Sequence, residues 1–118
     1  MYSIETDAGT KLVGKLDIAN DRVRGPSGSY SIMSIHSVWS KIFVVKAEKN
    51  LISFPGFVEV KTNAGYIPAN KLIPGLELSQ YGVDQRILQT SDPHPKLRVK
   101  KVSVPGSYYI SGVEVRNT

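Results

Sequence analysis

Ile4-Glu5-Thr6-Asp7-Ala8-Gly9, closed by Lys15-Leu16, returns later in the chain as Val60-Lys61-Thr62-Asn63-Ala64-Gly65, closed by Lys71-Leu72. Gly9 to Gly65 and Leu16 to Leu72 span the same 56 residues (65 − 9 and 72 − 16). Each copy reads as a strand, a tight turn that needs Gly, a returning strand and a short exit segment. A stacked array needs three or more units to bury a continuous core, so two copies argue for a β domain in which each half covers the other. The expected architecture is all-β, with an approximate two-fold relation between duplicated hairpin units.

Working outward, the best marked hairpin lies at the end of the chain, where Tyr108-Tyr109-Ile110 and Val113-Glu114-Val115 flank Ser111-Gly112. Gly25-Pro26-Ser27-Gly28 is a turn cluster after Arg22-Val23-Arg24. From Tyr30 to Val45 imperfect alternation predicts two antiparallel strands bending near Ser37 to Lys41, with Trp39 and Phe43 in the core and His36 partly buried and hydrogen bonded. Leu51 to Phe54 is a strand stopped by Pro55-Gly56. Gln80 to Pro95 is the least patterned stretch and reads as a loop with one short strand at Arg86 to Leu88.

A chain of 118 residues suits one domain, residues 1–118. The net charge of +5 is scattered along the sequence, favouring solubility and weak attraction to polyanions. No stretch is long and apolar enough for a membrane span, and the N-terminus lacks a signal-peptide run, so the expected location is cytoplasmic, with no membrane partner. The absence of cysteine removes disulfides and thiol chemistry. With His36 and His94 as the only histidines, no metal or other cofactor is expected. Lys96, Arg98, Lys100 and Lys101 read either as charged protection of a sheet edge or as a phosphate-binding stripe. On the second reading the chain is a small basic β-barrel, weakly binding nucleic acid with help from Tyr81, Tyr108 or Tyr109.

The order of these elements resembles the Hint superfamily, the self-processing module of inteins and hedgehog-type C-terminal domains. Ile4 to Leu16 resembles its first motif, with apolar-x-Thr-x-x-Gly before an apolar strand. Phe57 to Leu78 resembles the second, with Gly65, Ala69, Leu72, Gly75 and Leu78 at its positions, and Tyr109 to Thr118 resembles the last, which runs into a terminal Asn. The resemblance implies acyl-transfer chemistry. A Cys or Ser at the module's first residue attacks the preceding carbonyl, a residue beyond the module accepts the acyl group, and the terminal Asn cyclises to cut the backbone.

Asn117 and Thr118 match the cyclising and acceptor positions, and His94 is a candidate to approach that junction. Three features depart from the pattern. The first nucleophile belongs several residues before Ile4, where the chain begins at Met1, and Ser3 is too close to the turn to replace it. The family's Thr-x-x-His corresponds to Leu51-Ile52-Ser53-Phe54-Pro55-Gly56-Phe57, which holds no histidine. Arg116 occupies the place of the penultimate His and cannot be a base at neutral pH. The implied function is a degenerate Hint-like domain without N-terminal acyl shift, kept as a structural or binding domain. The alternative is an intein, or the C-terminal part of a split one, that cleaves at Asn117. Its partner is then a host polypeptide or a complementary intein fragment.

Overall fold

The computed structural model describes residues 2–118, so the first residue of the expected 1–118 domain lies outside it. Strands β1 (Ser3–Thr6) and β2 (Gly9–Leu12) form the first repeated hairpin, followed by a 3-10 turn at Val13–Lys15. The hairpin β3 (Arg22–Gly25) and β4 (Gly28–Ser31) comes next, then β5 (Ser34–Ser40), β6 (Ile42–Ala47) and β7 (Leu51–Pro55). The second copy is β8 (Val58–Thr62), β9 (Gly65–Pro68) and a 3-10 turn at Ala69–Lys71, with the hairpin β10 (Glu77–Gln80) and β11 (Val83–Ser91) after it. The chain ends in β12 (Leu97–Ser103), β13 (Tyr108–Ile110) and β14 (Val113–Asn117). The fold is all-β, as expected.

The duplication extends to single hydrogen bonds. Thr6 Oγ1 donates to the Gly9 carbonyl at 2.7 Å and accepts from the Ala8 amide at 3.1 Å. Thr62 Oγ1 donates to Gly65 at 2.8 Å and accepts from Ala64 at 3.1 Å. Gly9 and Gly65 close their turns at φ of 102° and 94°, values that a Cβ disfavours. The first copy continues into β3 through the Asp7 amide and the Arg22 carbonyl (3.1 Å), and the second into β10 through Asn63 and Glu77 (2.9 Å).

A long, bent sheet runs in the order β4-β3-β1-β13-β14-β10-β11-β6-β7, with β2 added to β1 and the β8–β9 hairpin added to β14. The C-terminal hairpin stands between the copies, β13 pairing with β1 (Ile4 opposite Ile110) and β14 with β8 (Val115 opposite Val60). These four side chains are fully buried, in a cluster that also takes Tyr2, Val23, Phe54, Ile87 and Tyr108. At roughly 1.5–3 kcal/mol for each large apolar side chain removed from water, this shared core is the main force closing one copy on the other.

β5 and β12 form a separate two-stranded ribbon, with Val38 opposite Val99. This corrects the expected β5–β6 hairpin: the chain breaks at Lys41, after which β6 pairs with β7 and β11. Two expectations fall with it. Trp39 is exposed at 67%, opposite Arg98 on a ribbon whose Val99 and Val102 are buried, and His36 is exposed as well. Phe43 does pack against the core, partly buried. Within Gln80 to Pro95, read as a loop with one short strand, the residues after Ser91 remain loop, but Val83–Ser91 forms the nine-residue β11 paired with β10. A polar residue at a core position hid it: Gln85 is buried, donating from Nε2 to Gln80 Oε1 at 2.7 Å while its Oε1 accepts from the Lys49 amide at 3.0 Å.

Candidate functional site

The two chain ends converge on the free edge of β12. In an antiparallel pair, alternate residues turn their amide and carbonyl groups toward the partner strand and the others turn them away. Ser103 faces β5, its carbonyl accepting from the Met33 amide at 2.9 Å, so Lys100 and Val102 present their carbonyls on the opposite edge. Tyr2 donates its hydroxyl to the Lys100 carbonyl, and Asn117 donates from Nδ2 to the Val102 carbonyl at 2.8 Å. Two side chains, one from each end, thus occupy the place of a missing strand. Their acceptors are two residues apart, about 6.6 Å along a strand.

Around this edge the junction is largely apolar. Tyr108 is fully buried and donates its hydroxyl to Asn117 Oδ1 at 2.7 Å, so both ends of the Asn117 carboxamide are engaged. Burial holds the Tyr108 phenol well above its usual range. Burial, and then the neighbouring Tyr108, does the same for Tyr2. Both are therefore neutral donors at any ordinary pH. Phe57 joins the ends from below. Its ring meets Tyr2 edge to face at 6.2 Å, Lys101 Nζ lies 5.3 Å over it, and its carbonyl accepts from the Thr118 amide at 2.9 Å and from Thr118 Oγ1 at 3.1 Å.

Asn117 belongs to β14 and pairs with Val58, so its backbone is extended, and Thr118 is tied to Phe57 although exposed. Arg116 points to the other face of the strand. It donates from Nε to Glu59 Oε1 at 2.8 Å and stacks its guanidinium 4.0 Å over Tyr66. His94 is exposed in the β11–β12 loop, whose ends are held near residues 40–41 by the Lys41–Asp92 ion pair (2.8 Å) and by Leu97 opposite Ser40. The Asn117 anchor at Val102 is five residues further along β12, about 16–17 Å, and the carboxamide is bonded to Tyr108 and Val102 rather than to an imidazole. The structure therefore brings Asn117 and Thr118 together with Tyr2 and Tyr108, and leaves His94 apart.

Sequence reading missed Tyr2 and Tyr108. Tyr108 was a candidate stacking platform for nucleic acid, and complete burial corrects that. The available signal was the alternation of β13, which places Tyr108 and Ile110 on one face. A larger cavity of about 700 Å³ lies elsewhere, near Glu5, Tyr81 and Gly112, and touches none of the chain-end side chains. Among the described residues no cluster of His, Asp or Glu is placed to hold a metal ion, and no helix is long and apolar enough to cross a membrane.

Paired hairpin units on either side of a shared C-terminal hairpin, with the chain ends meeting beside one strand, define a Hint-type β fold. The similar solved structures include inteins and an intein-like domain. The gp41-1 intein matches with a TM-score of 0.82 over 98% of this chain and 94% of its own, at 16% identity. The MchDnaB-1 intein matches at 0.77 over 98% and 96%, also at 16% identity. A bacterial intein-like domain from Clostridium thermocellum matches at 0.72 over 99% and 94%, at 13% identity. No protein-family model and no curated protein matches the sequence.

Proposed function

We propose that this chain is a degenerate Hint-type domain, without N-terminal acyl-shift activity, that serves as a structural or binding domain. The observation that carries the reading is the double engagement of Asn117. Cyclisation needs Nδ2 to attack the residue's own main-chain carbonyl carbon. Here Nδ2 donates to Val102, Oδ1 accepts from Tyr108, and the backbone lies in a strand paired with Val58. The carboxamide acts as a clip between β14, β12 and β13. The missing histidine of the second motif supports the same reading, because Leu51 to Pro55 is strand β7 with Ile52 and Phe54 buried in the core, and no imidazole enters from it.

A second reading is favoured by the adjacency of Tyr2 and Asn117 on β12, the arrangement that splicing chemistry would use. On that reading a rotated Asn117 attacks its own carbonyl carbon through Nδ2 and the bond to the Thr118 nitrogen breaks. A succinimide remains on the chain, and Thr118 leaves as a free amine carrying the proton lost from Nδ2. The pair of duplicated hairpin units belongs to both readings.

Mass spectrometry of a chain extended beyond Thr118 by a reporter polypeptide separates them. An intact mass after prolonged incubation is expected. Release of a fragment beginning at Thr118, abolished by Asn117→Ala, would overturn the structural reading and establish cleavage.

A further inference from the structure

We infer that the β5–β12 ribbon is a binding surface for single-stranded nucleic acid, with Trp39 as its stacking platform. Trp39 is the largest aromatic side chain, and at 67% exposure it is held out in water rather than in the core. It sits directly opposite Arg98 on the ribbon, and the Arg98 guanidinium lies 5.8 Å from its ring. Opposite residues share a face, as do residues two apart on one strand, so Trp39, Arg98, Lys100 and Ser37 form one surface. Lys100 Nζ bonds Ser37 Oγ at 3.1 Å, which orients the ammonium along that surface.

The ribbon and its adjoining loop carry a local excess of cations that fits a polyanion. Residues 34–41 and 92–103 carry Lys41, Lys96, Arg98, Lys100 and Lys101 against the one carboxylate Asp92, which Lys41 already neutralises. The separate cavity near Tyr81 is instead mixed in charge, with Glu5, Glu77, Asp84 and Glu114 beside Arg24 and Lys61. Lys96 and Lys101 line a groove of about 350 Å³ together with Trp39 and Phe57. Aromatic stacking serves any base, and flanking cations follow the backbone, which is how sequence-tolerant single-strand binders work. An extended basic face would also hold a duplex, but a lone projecting ring adds nothing to phosphate contacts on paired bases.

Trp39 is the only tryptophan of the chain, so its fluorescence reports this surface directly. Titrating the full chain with oligo-dT at low salt is expected to quench that emission saturably, in step with the anisotropy of a labelled oligonucleotide. Trp39→Ala should weaken binding roughly 5- to 150-fold, with Trp39→Phe recovering part of the loss. Arg98→Ala and Lys100→Ala should each reduce the slope of log K against log salt by about 0.7. Circular dichroism establishes that these exposed-site variants fold. Absence of quenching at low salt would overturn the inference. So would polyphosphate binding as tightly as oligo-dT while Trp39→Ala has no effect, which leaves charge alone. A homodimer in sedimentation that Trp39→Ala dissolves would assign the surface to a second copy and overturn it too.

Discussion

At Thr6 and at Thr62 the two copies make the same pair of hydrogen bonds, to the same backbone atoms and within 0.1 Å. Past their 3-10 turns they part. The first copy crosses to β3 through a polar link in which buried Asp21 accepts from Lys11 Nζ at 2.7 Å and from the Asp17 amide at 2.8 Å. The second crosses through Ile73-Pro74-Gly75, with Gly75 at φ 97° and its amide bonded to the Ile87 carbonyl at 2.9 Å. Their entries differ as well: Val58 stands where the first copy has Tyr2. The turn geometry leaves little choice of residue, whereas a link need only return the strand to its neighbour. Ion pairing and backbone bonding are interchangeable ways of doing that.

The largest effect should come from the shared core. Ile4→Ala is expected to cost about 2–5 kcal/mol in denaturant unfolding, and Val60→Ala, which loses one methylene fewer, about 0.8 kcal/mol less. A Val60 variant far milder than this would mean that the second copy contributes less to the core than its burial indicates. Next come the turns. Thr6→Val and Thr62→Val should each lose about 1–3 kcal/mol, because each removes a donor and an acceptor from paired backbone groups. Agreement within about 0.5 kcal/mol is the resolution at which independent sites are compared. A wider gap breaks the equivalence of the copies.

Smaller effects test the asymmetries. Tyr2→Phe leaves the Lys100 carbonyl without its donor and should cost about 1 kcal/mol. It should also change the alkaline limb. The folded phenols of Tyr2 and Tyr108 hold their protons above the ordinary value of 10.0, so stability is full below that pH and falls as pH rises past it. Stability measured from pH 9 to 11 should decline less steeply in Tyr2→Phe. The smallest effect concerns Asp21, whose carboxyl is held below its usual range first by the Lys11 hydrogen bond and then by the Asp17 amide. Its contribution is present above about pH 4 and lost as pH falls through the depressed value. Asp21→Asn should flatten that acid limb while leaving the second copy's link untouched, as amide exchange at Gly75 would register.

Much of this was legible in the residues. The Thr-x-x-Gly turns announced themselves because a side chain bonding its own turn is local, and Ser111-Gly112 marked the last hairpin for the same reason. The resemblance in the order of motifs led to the Hint fold that the structural matches bear out. What escaped notice was decided at long range. Gln85 reads as a surface residue until Gln80 and the Lys49 amide are brought to it, so β11 lost its period. Trp39 reads as core until β5 is seen to pair with β12, which sets it opposite Arg98 in solvent. The partners of Asn117 lie 9 and 15 residues away in the chain, on two other strands, and no local pattern names them.

The edge of β12 has one further consequence. Since Tyr2 and Asn117 hook onto carbonyls two residues apart, any polypeptide fused to both termini would enter and leave through neighbouring doorways. Such a guest would ask its host to part by little more than the width of a hairpin. Pulling the two flanking segments in opposite directions would load the two side-chain hooks before it strained the buried sheet.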